Sequence, residues 1–129
     1  MILSISEHIY TMLSASAELQ ARVGEKIFPL GTKREVESPF IVYERDNVSV
    51  DYDKEHKRTA DVDVSVYVAA ETYTESVEIA EIVIKALDKE LATYDGFIVE
   101  DAHVMSAAED FVDTAYVQKV GFNFIITEK

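Results

Sequence analysis

Few groups of residues in this sequence could do chemistry together. Asp61 and Asp63 would put two carboxylates on one face of a strand, where they could hold a hard cation such as magnesium. Glu100, Asp101 and His103 stand close together, and Asp101 and His103 would share a face as a general-base pair or half a metal site. Asp51 and Asp53 resemble the start of a calcium loop, but the glycine and distal glutamate of an EF-hand are missing. Lys54, Lys57 and Arg58 could take an anion, although Glu55 and His56 interrupt them. Each group has a simpler structural reading. Val62, Val64, Val66 and Val68 need the inward face of their strand, so Asp61 and Asp63 must point outward. His8, His56 and His103 fall in three different elements and do not converge. The basic cluster reads as a solvated turn. There is no Gly-rich phosphate loop, no G-x-S-x-G and no H-E-x-x-H. Nothing here is positive evidence for catalysis, a metal or a cofactor, so the expectation is no enzyme and none of these ligands.

The elements that must position these residues fit one domain. The chain has 129 residues and is 48% apolar, enough for a real core, and residues 1–129 read as a single domain. Twelve Lys and Arg stand against 25 Asp and Glu, a formal net charge of −13. So acidic a surface repels phosphate backbones and anionic lipid, which argues against nucleic-acid and membrane-surface binding. No apolar run approaches the roughly 18 residues that a membrane span needs. MILSISEHIY has no basic stretch before its apolar residues, which predicts no signal peptide and a chain that is not secreted. The absence of cysteine fits a reducing compartment.

Ser4 and Glu7 have capping-box spacing, and Ile5, Ile9, Met12, Leu13, Leu19 and Val23 follow at helical period, predicting one helix over about 5–23. Gly24 is its stop. Pro29, Gly31 and Pro39 punctuate a connector over 24–39, pinned by Ile27, Phe28 and Leu30. Strands are expected at 40–50 and 57–70, joined by the charged tip DYDKEHK. Thr72 and Glu75 form a second capping box before a helix running to about 92. Asp95-Gly96 marks a turn, 97–106 a third strand, AAEDFVD an acidic loop, and 114–127 a fourth strand. The expected fold class is α+β: a four-stranded, mainly antiparallel sheet with two helices packed on one face, in the order α-β-β-α-β-β.

The stretch SPFIVYER breaks the alternation expected of a strand with one wet face. Phe40 and Val42 lie on one face, Ile41 and Tyr43 on the other. FNFII at 122–126 behaves similarly, with Ile125 opposite Phe122, Phe124 and Ile126. Two helices on one side cannot cover both faces. The surplus apolar surface must meet the connector or another chain, so Phe40, Ile41, Tyr43 and Ile125 are the candidate oligomer or partner interface.

Several segments together resemble a known family. They are Ile27-Phe28-Pro29, then Pro39-Phe40-Ile41-Val42-Tyr43, and a valine strand ending in Tyr67-Val68. Glu71-Thr72-Tyr73 follows, entering a helix with Ala86-Leu87 near its end, and then an acidic loop before a final aromatic strand. This order, over about 5–127, is similar to the small tail-completion (tail-to-head joining) proteins of long-tailed bacteriophages and prophages. The resemblance implies no enzymatic activity and a homo-oligomeric, hexameric ring that caps the finished tail tube and docks to the head connector. It implies assembly in the bacterial cytoplasm into the virion, with binding by sheet edges and by loops placed here at 46–58 and 107–113. Asp51, Asp53, Glu109, Asp110 and Asp113 are candidates for loop contacts or for an acidic lumen that does not hold passing DNA.

Two other readings are open to the sequence. One is a small cytosolic dimeric α+β module that binds a ligand or a protein, and it predicts a fixed dimer with an enclosed apolar pocket. The other is a metal-dependent hydrolase using Asp61, Asp63 and His103, and it predicts stabilisation by added divalent metal.

Overall fold

The structure, a computed structural model, describes residues 1–30 and 36–129. The helical periodicity of the N-terminal stretch is interrupted at Ser16. Its backbone is extended (φ −78°, ψ 110°), and its Oγ accepts a hydrogen bond from the Leu19 N–H at 3.2 Å, so it caps a new helix. Two helices result, α1 (Ile5–Ala15) and α2 (Ala17–Val23), where the spacing predicts one. Ser4 makes no side-chain capping bond, so the first predicted capping box is not formed. Gly24 ends α2 as predicted, at φ 60° and ψ −128°.

The connector contains a short strand, β1 (Ile27–Pro29), that pairs parallel to β2 (Phe40–Tyr52). Ile27 is buried and Leu30 is exposed. Gly31 lies outside the described residues. β2 turns into β3 (Arg58–Ala70), and α3 (Tyr73–Leu87) follows. Thr72 Oγ1 accepts from the Glu75 N–H at 3.2 Å, so this predicted cap is formed. α3 ends before residue 92 because Asp88 is already extended (φ −67°, ψ 125°). β4 (Ala92–Thr93) turns through Asp95 and Gly96 into β5 (Phe97–Val112), and β6 (Ala115–Glu128) completes the chain.

The expected fold class is therefore corrected. Among the described residues the sheet has six strands, not four, in the order β1-β2-β3-β6-β5-β4. It is mixed, because β1 runs parallel, and it curls into a half-barrel with three helices. The segment expected as the loop AAEDFVD is strand almost to its end, since Ala107–Val112 pair with Ala115–Val120. β1 and β4 were not predicted because strands of three and two residues are too short to show a period.

Pairing registers explain the core. Ala60, Val62, Val64, Val66 and Val68 of β3 lie beside Val120, Phe122, Phe124 and Ile126 of β6, all buried on the face the helices cover. Ile5, Ile9, Leu13, Leu19, Ile79, Val83 and Leu87 cover them from α1, α2 and α3. Each fully buried side chain of this size contributes about 1.5–3 kcal/mol.

Candidate interaction face

Among the described residues, the opposite sheet face carries no helix. Asp61, Asp63, Ser65 and Tyr67 of β3 point there, and across them on β6 lie Ile125, Asn123, Gly121 and Lys119. Glu44 extends the face onto β2, opposite Ser65, and Asp101 and His103 extend it onto β5, opposite Ile125 and Asn123. Gly121 lies close to β5: an added Cβ would lie 2.5 Å from Ser106 Oγ, so that hydroxyl would have to rotate away.

Hydrogen bonds organise this surface. Asn123 Nδ2 donates to Asp61 and, at 3.0 Å, to Asp63. Ser65 Oγ donates to Asp46 at 2.5 Å, and the Tyr67 hydroxyl donates to Glu44 at 2.7 Å. The Glu44 hydrogen bond, with burial and the nearby acids, pushes the Tyr67 hydroxyl up to about 12. Lys119 sits 5.7 Å from the Tyr67 ring centroid, a cation over an aromatic face. His103 Nε2 lies 2.8 Å from Asp101 Oδ1, but both side chains are about half exposed (49% and 50%). Water screens a pair this exposed. Among the described residues no group of three or more His, Asp or Glu could hold a metal ion. Asp61 and Asp63 instead share one amide.

The residues predicted to act together are separated. Ile41 (0% exposed) and Tyr43 (5%) fill the core beneath the chain's own helices, so they are not free to meet another chain. Phe40 and Ile125 are half-buried on the open side. Asp51 and Asp53 lie at the β2–β3 hairpin end, and Asp113 at the β5–β6 hairpin end. The twelve-residue register from Thr59↔Thr127 to Ala70↔Tyr116 puts these ends roughly 35 Å apart. Asp53 Oδ1 accepts from the N–H groups of Glu55 (2.8 Å) and Lys57 (2.9 Å), so it builds its own turn. Glu109 accepts from Gln118 Nε2 at 3.2 Å, while Asp110 is exposed on β5. The reading of single residues missed the continuity of the face through Glu44, Asp46 and Asn123. For Glu44 and Asn123 the signal was present, since Glu44 follows the buried Tyr43 and Asn123 lies between the buried Phe122 and Phe124, but Asp46 sits at the β2 bulge between exposed residues.

His8, by contrast, is fully buried within α1. Its Nε2 donates to the Glu90 carbonyl at 3.1 Å, and its Nδ1 accepts from the Tyr94 hydroxyl at 2.8 Å. Burial holds its pKa below the usual histidine value, although the Glu90 bond opposes the shift. It is a satisfied core histidine, not a ligand.

Comparison with known proteins places the chain among the structural proteins of the phage tail. Residues 7–125 match the family described as Tail completion protein gp17, and the chain belongs to that family. The family resemblance read from the sequence is borne out. A chain from the virion of a native gene transfer agent particle has the same fold, with a TM-score of 0.74 and 20% identity, covering 93% of this chain and 90% of that one. No curated protein matches the sequence.

Proposed function

We propose that this protein is a non-catalytic subunit of a hexameric ring that completes the tail and joins it to the head connector. Its partners are copies of itself, the tail tube and the connector, assembled in the bacterial cytoplasm. The observation that carries this reading is the open acidic sheet face in a member of a tail-completion family. An uncovered face of hydrogen-bonded carboxylates suits a bore through which DNA passes without sticking, because like charges repel. In this reading Glu44, Asp46, Asp61 and Asp63 line the lumen. Asp53 at one hairpin end and Asp113 at the other meet the proteins above and below, while Asp51, Glu109 and Asp110 lie on the outer strands β2 and β5.

Deletion of the gene from its phage or prophage tests the proposal. The expected result is filled heads and full-length tails that fail to join, seen by electron microscopy and restored by the gene in trans. Normal infectious particles without the protein would overturn it.

A further inference from the structure

Both outer edges of the sheet are blocked only in part. At one edge β1 covers the beginning of β2, pairing with Ile41–Tyr43, and the Leu30 N–H donates to the Tyr43 carbonyl at 2.7 Å. At the other, β4 covers Ile98 and Val99 of β5. The loop after α3 covers the next part: the Lys89 N–H donates to the Ala102 carbonyl at 2.8 Å, and Asp88 Oδ1 accepts from the Val104 N–H at 2.9 Å. Beyond these points, among the described residues, Asn47–Tyr52 and Ser106–Val112 have no neighbouring strand on their outer sides. Both segments follow a bulge and are regular thereafter. Val50, Tyr52, Phe111 and Val112 are exposed on them. Long edges with exposed apolar residues are templates for pairing with another chain.

Resting on the ring reading above, we propose that identical copies join through these edges, the β2 edge of one copy pairing antiparallel with the β5 edge of the next. The sense is right, because β2 and β6 run one way and β3 and β5 the other. Local bonds mark which backbone groups point outward. The N–H of Tyr52 is taken by Asp51 Oδ1 (2.8 Å) and that of Phe111 by Asp110 Oδ1 (2.7 Å). These two N–H groups therefore face outward, as do those at alternate positions along each edge. Outward groups and sheet faces fix the parity of the pairing, and the register that seats all of Asn47–Tyr52 within Ser106–Val112 sets Phe111 opposite Val48, Glu109 opposite Val50 and Ala107 opposite Tyr52, with the Tyr52 and Phe111 N–H groups exchanging their aspartate oxygens for carbonyls of the neighbouring copy. Asp110 then meets Ser49 and Ala108 meets Asp51, so no two like charges face each other. Within one copy Ala107 is level with Tyr43, through Val120 and Val66. Meeting Tyr52 instead offsets each copy by roughly 30 Å along the strands. Such an offset tilts strands against the ring axis, as closure of a barrel requires, and the contact is head-to-tail, so it can close a ring.

The chain has no cysteine, so Ser49→Cys/Asp110→Cys reports this contact directly under mild oxidation. In a non-hydrogen-bonded antiparallel pair the Cβ atoms approach closely enough for a disulfide. The expected result on non-reducing gels is a ladder of covalent multimers, with each single variant giving no ladder. Dimers from Asp110→Cys alone would overturn the proposal in favour of a two-fold β5–β5 contact. Light scattering on the unsubstituted protein, alone and with purified tails, is run in parallel. Rings without a ladder would overturn the edge contact and leave the ring standing. No assembly under either condition would overturn both.

Discussion

The Tyr94 hydroxyl and His8 Nδ1 lie 2.8 Å apart, tying the segment after α3 to the inner face of α1. Because Nε2 donates to the Glu90 carbonyl, the imidazole is satisfied in its neutral form. Its folded-state pKa lies below the ordinary 6.5, chiefly through burial. Below that value the unfolded chain takes up a proton that the folded chain resists, so stability falls as pH drops from 6.5 toward the folded pKa. We expect the urea midpoint to fall between pH 7 and pH 5. His8→Phe should flatten that part of the profile while costing about 1–3 kcal/mol at pH 7 for the two lost hydrogen bonds. A variant profile parallel to the wild type would show that another group carries the dependence.

Gly24 sits at φ 60° and ψ −128°, where side-chain-bearing residues are strained, and a Cβ there would meet nothing within 4 Å. Gly24→Ala therefore isolates the backbone cost from any clash. The expected destabilisation is about 1–3 kcal/mol in a denaturant titration, with an unchanged slope. A loss well under half a kcal/mol would show that the turn after α2 readjusts freely.

Legibility in the sequence followed local pattern strength. The valines at 62–68 have one buried face and one polar face, so period and orientation coincide. Thr72 and Glu75 mark the start of α3 by hydrogen-bond chemistry alone. At Ile41 and Tyr43 the pattern separated two faces without saying which one the helices cover. The stretch after Ser106 read as a loop because every residue to Val112 is exposed, so burial imposes no alternation there. Ser16 broke a helix inside an unbroken apolar stripe, since α1 and α2 bury Leu13 and Leu19 in the same core. The candidate face was legible only as single residues, because cross-strand pairing joins Asn123 to Asp61 and Asp63 over about 60 residues of chain.

Gln118 links three elements from a nearly buried position. Its Nε2 donates to Ser76 Oγ on α3 and to Glu109 on β5, both at 3.2 Å, and Ser76 Oγ donates onward to the Tyr73 carbonyl. Gln118→Leu would leave Ser76 with one fewer partner and Glu109 without this donor. The expected cost is about 1–2 kcal/mol. Adding Ser76→Ala should cost less in this background than in the wild type, because the interaction is already lost. Strict additivity in the four thermal or chemical denaturation curves would rule out the coupling.

Charge sets how assembly should respond to salt. Each copy carries a formal charge of −13, and the proposed contact opposes Asp110 to Ser49 and Ala108 to Asp51 without ion pairs. Its attraction is then backbone hydrogen bonding and apolar burial, which salt does not weaken, while the repulsion between acidic copies is screened. Raising sodium chloride from about 0.05 M to 0.5 M shortens the screening length by about threefold. Light scattering across a concentration series should show larger species at several-fold lower protein concentration in the higher salt. Replacing Asp51 and Asp110 with asparagine should have the same effect at low salt, since both lie on the pairing edges and each removes a negative charge. If salt instead dissolves the assembly, ion pairs hold it, and the edges identified here are not its main contact.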